Sequence, residues 1–139
     1  MRRRAALILV LLAFACGPRP APGPGDPGLT PRQVGQAFAS ALLDRARAEE
    51  AERWALPGAS LGIRSQAGFL APPGRQVSWS LEEPRQEGGA WVVPVRIESL
   101  DVAGAHYQGR VTLRLDAAGR RVESSGLELQ RSDGAWLRL

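Results

Sequence analysis

Lysine is absent from this 139-residue chain, whose eighteen basic side chains are all arginine, and histidine, methionine, tyrosine and cysteine each occur once. Exclusive use of arginine fits either the ion-pair geometry of the guanidinium fork or a GC-rich coding bias. One cysteine excludes an intrachain disulfide. One histidine, one cysteine and scattered carboxylates give no metal-ligand spacing. No P-loop motif occurs, and no cofactor is implied. Positive charge is also scarcer than the formal +4 suggests, because Arg2, Arg3 and Arg4 fall in a segment expected to be removed. From Cys16 onward 15 Arg face 14 Asp and Glu, a balance of +1 that gives little counterion-release drive and argues against a nucleic-acid partner.

No apolar run is long. Three arginines precede AALILVLLAFA, residues 5–15, which as a helix would rise about 16 Å, roughly half of a ~30 Å hydrocarbon core. A charged start, a short apolar stretch and Ala13-Phe14-Ala15 at its end read as a secretory signal peptide, residues 1–15, so the chain is expected to be exported. Leu12-Ala13-Phe14-Ala15-Cys16 resembles the lipobox of bacterial lipoproteins. The resemblance implies that Cys16 becomes the mature N-terminus and is the lipidation site, with acyl chains anchoring the protein to a membrane of the cell envelope. Two or three chains, at about 0.8 kcal/mol per buried methylene, anchor stably where one does not. Ala13-Phe14-Ala15 also satisfies the A-x-A rule of ordinary signal peptidase, which would release a soluble protein with a free N-terminal cysteine.

Residues 16–28 are then the lipidated cysteine and a tether. The stretch 17–31 holds six Pro and four Gly in fifteen residues, too little apolar surface to offset chain entropy. As polyproline II it would reach roughly 45 Å at about 3.1 Å per residue.

A single folded domain is expected over residues 29–139. Thr30 is placed as N-cap, Pro31 as the first helical residue, Gln33 as the reciprocal capping partner, and Leu29 with Val34 as a hydrophobic staple. Val34, Ala37, Phe38, Ala41 and Leu42 recur at helical spacing. A continuation or second short helix turns Ala48, Ala51, Trp54 and Ala55 inward and stops at Pro57-Gly58. Residues 59–75 show neither period, although Leu61, Ile63, Phe69 and Leu70 are apolar enough to be buried in a short helix or an irregular segment.

From Val77 the period becomes two. Val77, Trp79 and Leu81, then Trp91 to Ile97, then Tyr107 to Leu115, then Val122 to Leu129, and finally Trp136 to Leu139 read as half-buried strands joined by short turns, hence an antiparallel meander. Pro94 argues for an edge strand or a bulge, and Ser124-Ser125-Gly126 for a second bulge. The expectation is an α+β fold with N-terminal helices on a curved antiparallel sheet of four to five strands.

The order of a capped helix TPRQVGQAFASALLDRA, a second helix ending ERWALPGAS, and strands finishing in LELQRSDGAWLRL resembles the nuclear transport factor 2-like, cystatin-like superfamily, especially its small lipid-anchored bacterial members. The resemblance implies a cone whose open end can hold a small ligand. Some relatives are isomerases or dehydratases that use an Asp and a His there, but no position here matches theirs.

His106 is the only histidine, with Asp101 and Tyr107 nearby, and is therefore the obvious acid or base; its place after Gly104-Ala105 reads instead as an exposed turn. Trp54, Trp79, Trp91 and Trp136 either line a pocket or, more commonly for this residue, fill the core. The function expected is a lipid-anchored envelope protein with a non-catalytic binding or scaffolding domain, partnered by the membrane through Cys16, by a small ligand or envelope protein, and by a second copy across the outer sheet face. The alternative is a small cavity enzyme of the same fold.

Overall fold

The computed structural model describes residues 22–139; the expected signal peptide, Cys16 and the first part of the tether lie outside them. The chain enters the domain through the anticipated capping box. Thr30 Oγ1 accepts the Gln33 N–H at 3.2 Å while Gln33 Oε1 accepts the Thr30 N–H at 2.9 Å, and Leu29 and Val34 are both buried. Helix α1 (Pro31–Ala39) runs into a wider π-helical turn, Ser40–Asp44, then α2 (Ala48–Glu52), a 3₁₀ turn Pro57–Ala59, and α3 (Ser60–Leu70).

The helix α3 occupies the stretch whose sequence chose no period. It buries Ile63, Gln66, Ala67 and Leu70, while Leu61 is 80% exposed, contrary to its expected burial. The helical spacing is masked in the sequence because the inward stripe includes a glutamine and an alanine, whereas apolar Leu61 points to solvent.

Six strands follow: β1 (Gln76–Leu81), β2 (Arg85–Glu87), β3 (Ala90–Leu100), β4 (His106–Leu115), β5 (Val122–Arg131) and β6 (Trp136–Arg138). They form one antiparallel sheet ordered β1-β3-β4-β5-β6, with β2 pairing the other end of β3. The sheet has six strands instead of the expected four to five, because Arg85–Glu87, inside the short turn expected between Leu81 and Trp91, is itself a strand. The reversal is confined to Gly88 and Gly89, whose φ values of 55° and 76° suit a tight hairpin.

Pro94 is not on an edge strand: β3 pairs with β4 along its whole length and with β1 and β2 on its other side. Its carbonyl accepts the Glu82 N–H at 2.8 Å, just past the end of β1, and the reciprocal bond would need the N–H that proline lacks. The break between β1 and β2 falls at this residue, so no ladder bond is orphaned. The second irregularity is a bulge, as anticipated, one position before the serines: Arg114 faces Ser124 and Leu115 faces Val122, leaving Glu123 unpaired. It returns Val122 to the inner face beside Ser125, Leu127 and Leu129.

The helices cover one sheet face. Phe38, Leu42 and Ile63 are fully buried with Val93, Val95, Ile97, Val111, Leu113, Leu127 and Leu129 in one continuous core. The helix α1 comes so close to β3 that a Cβ on Gly35 would sit 2.8 Å from Val93 Cγ1. The opposite face carries a cross-strand row Ser80, Arg96, Arg110, Glu128 and Arg138, in register and exposed.

Candidate functional site

The structure separates the three residues that sequence reasoning grouped around the histidine. His106 and Tyr107 are consecutive on β4 and therefore project from opposite sheet faces. His106 lies on the outer face, its side chain 42% exposed, with Nε2 4.0 Å from Glu98 Oε2, beside a shallow polar hollow of about 200 Å³ that also touches Gln108, Gln130 and Ser132. Asp101 shapes the β3–β4 turn: its Oδ1 accepts the N–H groups of Ala103 at 2.9 Å and Ala105 at 2.8 Å. Tyr107 packs edge-on against Phe69 with ring centroids 5.8 Å apart.

Of the four tryptophans, Trp54, Trp79 and Trp91 pack on the core, but Trp136 is 58% exposed. Its partner Gln130 faces outward on β5, so a side chain in register with it shares the solvated face, where Arg138 lies 5.7 Å from the Trp136 ring. The sequence placed this ring in the core or a pocket; the register of the short β6 decides otherwise.

A different constellation surrounds a cleft of about 390 Å³ at the end of the helical layer, lined by Leu43, Asp44, Ala46, Leu70, Arg75 and Val77. Two segments supply its charges: Asp44 and Arg45 at the end of the π-helical turn, and Arg75 before β1. The π-helical turn ends at Asp44, whose Oδ1 accepts the indole N–H of Trp79 at 2.6 Å and whose Oδ2 accepts the Ser40 hydroxyl at 3.1 Å. Ala46 follows with φ 49°, a left-handed conformation that costs a non-glycine residue roughly 1–2 kcal/mol and turns the chain back across the cleft.

Arg75 enters from the loop between α3 and β1. Its guanidinium carbon lies 4.3 Å from the centroid of Phe69 and 5.6 Å from that of Tyr107, and Nη1 donates to Ser99 Oγ at 3.2 Å. Its Nε is buried and has no hydrogen-bond partner among the described residues. Among the described residues nine other arginines pair with carboxylates, including Arg45 with Glu50 at 2.8 Å and Arg64 with Glu52 at 2.7 Å; Arg75 is anchored by aromatic faces and a serine. Sequence reasoning missed it because its partners come from α3, β3 and β4, and the only local signal was a basic residue after Pro72-Pro73-Gly74.

One further electrostatic feature lies in the β5–β6 hairpin. The side-chain bond from Arg131, and then the Ala135 N–H, hold the Asp133 carboxyl down to about 2. Asp133 in turn raises Arg131, with Tyr107 adding a smaller effect. Among the described residues no group of three or more His, Cys, Asp and Glu is placed to hold a metal ion, and no helix is long and apolar enough to cross a membrane.

No protein-family model, curated protein or solved structure matches the chain.

Proposed function

We propose that the chain is an exported bacterial lipoprotein, processed before Cys16, whose domain of residues 29–139 is a nuclear transport factor 2-like cone acting by non-catalytic binding or scaffolding. One observation carries the non-catalytic reading: the histidine and the tyrosine that could share proton-transfer work stand on opposite faces of β4, with His106 in solvent. The interior where a cavity enzyme would hold its substrate is filled by Phe38, Leu42, Ile63, Leu113 and Leu127, all fully buried. The anchor reading draws on the sequence alone, and the exposed prolines and glycines of residues 22–28 are consistent with a tether leading to it. The outer sheet face, with Trp136 and the row from Arg96 to Arg138, is the surface offered to a second copy or an envelope partner.

Metabolic labelling with a palmitate analogue tests the anchor: the wild-type chain takes up label and sediments with membranes, and Cys16→Ala abolishes both. Equal labelling of the two would remove the lipoprotein reading. For the domain, a deletion strain complemented with His106→Ala should behave as wild type, whereas a folded variant that fails to complement would restore the cavity-enzyme reading.

A further inference from the structure

We propose that the cleft between Asp44 and Arg75 binds a small organic monocarboxylate, with the Arg75 guanidinium as its anchor; this rests on the binding-domain reading and names its ligand class. A guanidinium presents a planar fork of donors that matches a carboxylate, and Arg75 directs only one hydrogen bond, from Nη1 to Ser99, among the described residues. The guanidinium carbon lies 4.3 Å from the Phe69 centroid, a cation–π contact that holds the group in place without using any of its N–H donors. A side chain already held by Phe69, Tyr107 and Ser99 loses little freedom on binding.

Size and charge narrow the ligand. A cleft of about 390 Å³ is at the small end of the ~300–1,000 Å³ range of ligand pockets, which suits a compact molecule better than a peptide. Asp44 and Arg45 line the same cleft; Arg45 is already paired with Glu50 at 2.8 Å, so the Asp44 carboxylate is left to oppose a second negative charge and a monoanion is favoured over a phosphate dianion. Leu43, Leu70 and Val77 contribute only a small apolar part of a mostly polar lining, which leaves room for a short aliphatic chain and not a long one. Trp79, bonded through its indole N–H to Asp44, is a built-in reporter beside the cleft.

The test is an NMR titration of the full chain in detergent at constant ionic strength, with butyrate as probe and butylammonium and inorganic phosphate in parallel, following the Trp79 indole and Arg75 Nε resonances. Butyrate should move both saturably, and the other two probes should not. Arg75→Gln should weaken the response at least 10-fold, as should Arg75→Lys, which keeps the charge but loses the planar fork. Movement that does not saturate, that phosphate or butylammonium reproduces, or that survives in a folded Arg75 variant overturns the proposal. Should neither variant fold, selectivity among the three probes in the wild-type chain still decides. The spectrum of butyrate itself separates the two readings: bound and unaltered, it supports both. Bound and chemically changed, it keeps the site and overturns the non-catalytic domain, whereas unbound butyrate removes the site and leaves the binding-domain reading standing.

Discussion

Gln66 and Ser125 are bonded to each other twice across the contact between α3 and β5: Gln66 Nε2 donates to the Ser125 carbonyl at 2.8 Å, and Ser125 Oγ donates to Gln66 Oε1 at 2.8 Å. The second amide hydrogen of Gln66 reaches the Leu139 carbonyl at 3.2 Å, so a fully buried glutamine is satisfied and ties the helix to the C-terminal end of the chain. Gln66→Leu would keep the volume and leave Ser125 and Leu139 without these partners. A loss of about 1–3 kcal/mol is expected in urea denaturation, with an unchanged m-value. A neutral result would mean that water replaces the amide.

Phe38 tests the packing of α1 on the sheet. It is fully buried in the common core, and Phe38→Ala should cost about 3–5 kcal/mol in the same assay.

Two glycines in paired strands should differ in their response to alanine. A Cβ at Gly109 would lie 1.9 Å from the Glu128 carbonyl oxygen and 2.9 Å from Leu129 Cα, with backbone atoms that cannot step aside. Around Gly126 no described residue other than its chain neighbours lies within 4 Å of the same position. Gly109→Ala should therefore abolish cooperative folding or cost more than about 3 kcal/mol, whereas Gly126→Ala should fall within about 0.5 kcal/mol of wild type by thermal denaturation.

The β5–β6 hairpin should respond to acid later than ordinary aspartates do. Asp133 has its folded value lowered from 3.8 to about 2, chiefly by the Arg131 side chain. A depressed carboxyl contributes stability that is complete above its unfolded value and is lost as pH falls toward its folded one. Carbon-detected NMR should find Asp133 titrating near 2, and Arg131→Ala should move it upward toward 3.8. Both groups are exposed, so added salt should shrink the difference.

His106→Ala should change stability by less than about 0.5 kcal/mol, because the ring is half in water and its nearest acidic neighbour, Glu98 Oε2, is 4.0 Å away. A loss of several times that size would require a partner for the imidazole that its position on the outer face does not provide.

What the chain determined by itself is whatever depends on neighbours within a few residues. Thr30, Pro31 and Gln33 specify the start of α1 because a cap is made of bonds across three positions. The alternation of Val93, Val95 and Ile97, and of Val111, Leu113 and Leu115, specifies inward faces because the pleat has a period of two. The split of His106 from Tyr107 follows from the same period and was legible in principle. Tertiary structure alone decided the rest. Helix α3 is held by a glutamine whose partners lie 59 and 73 residues away, so no local period could announce it. Pro94 is tolerated inside the sheet because two separate strands happen to leave a gap opposite its nitrogen. The Arg75 site draws Phe69, Ser99 and Tyr107 from three elements, and a guanidinium shows its role only when the fold supplies the ring on which it stacks and the cleft it faces.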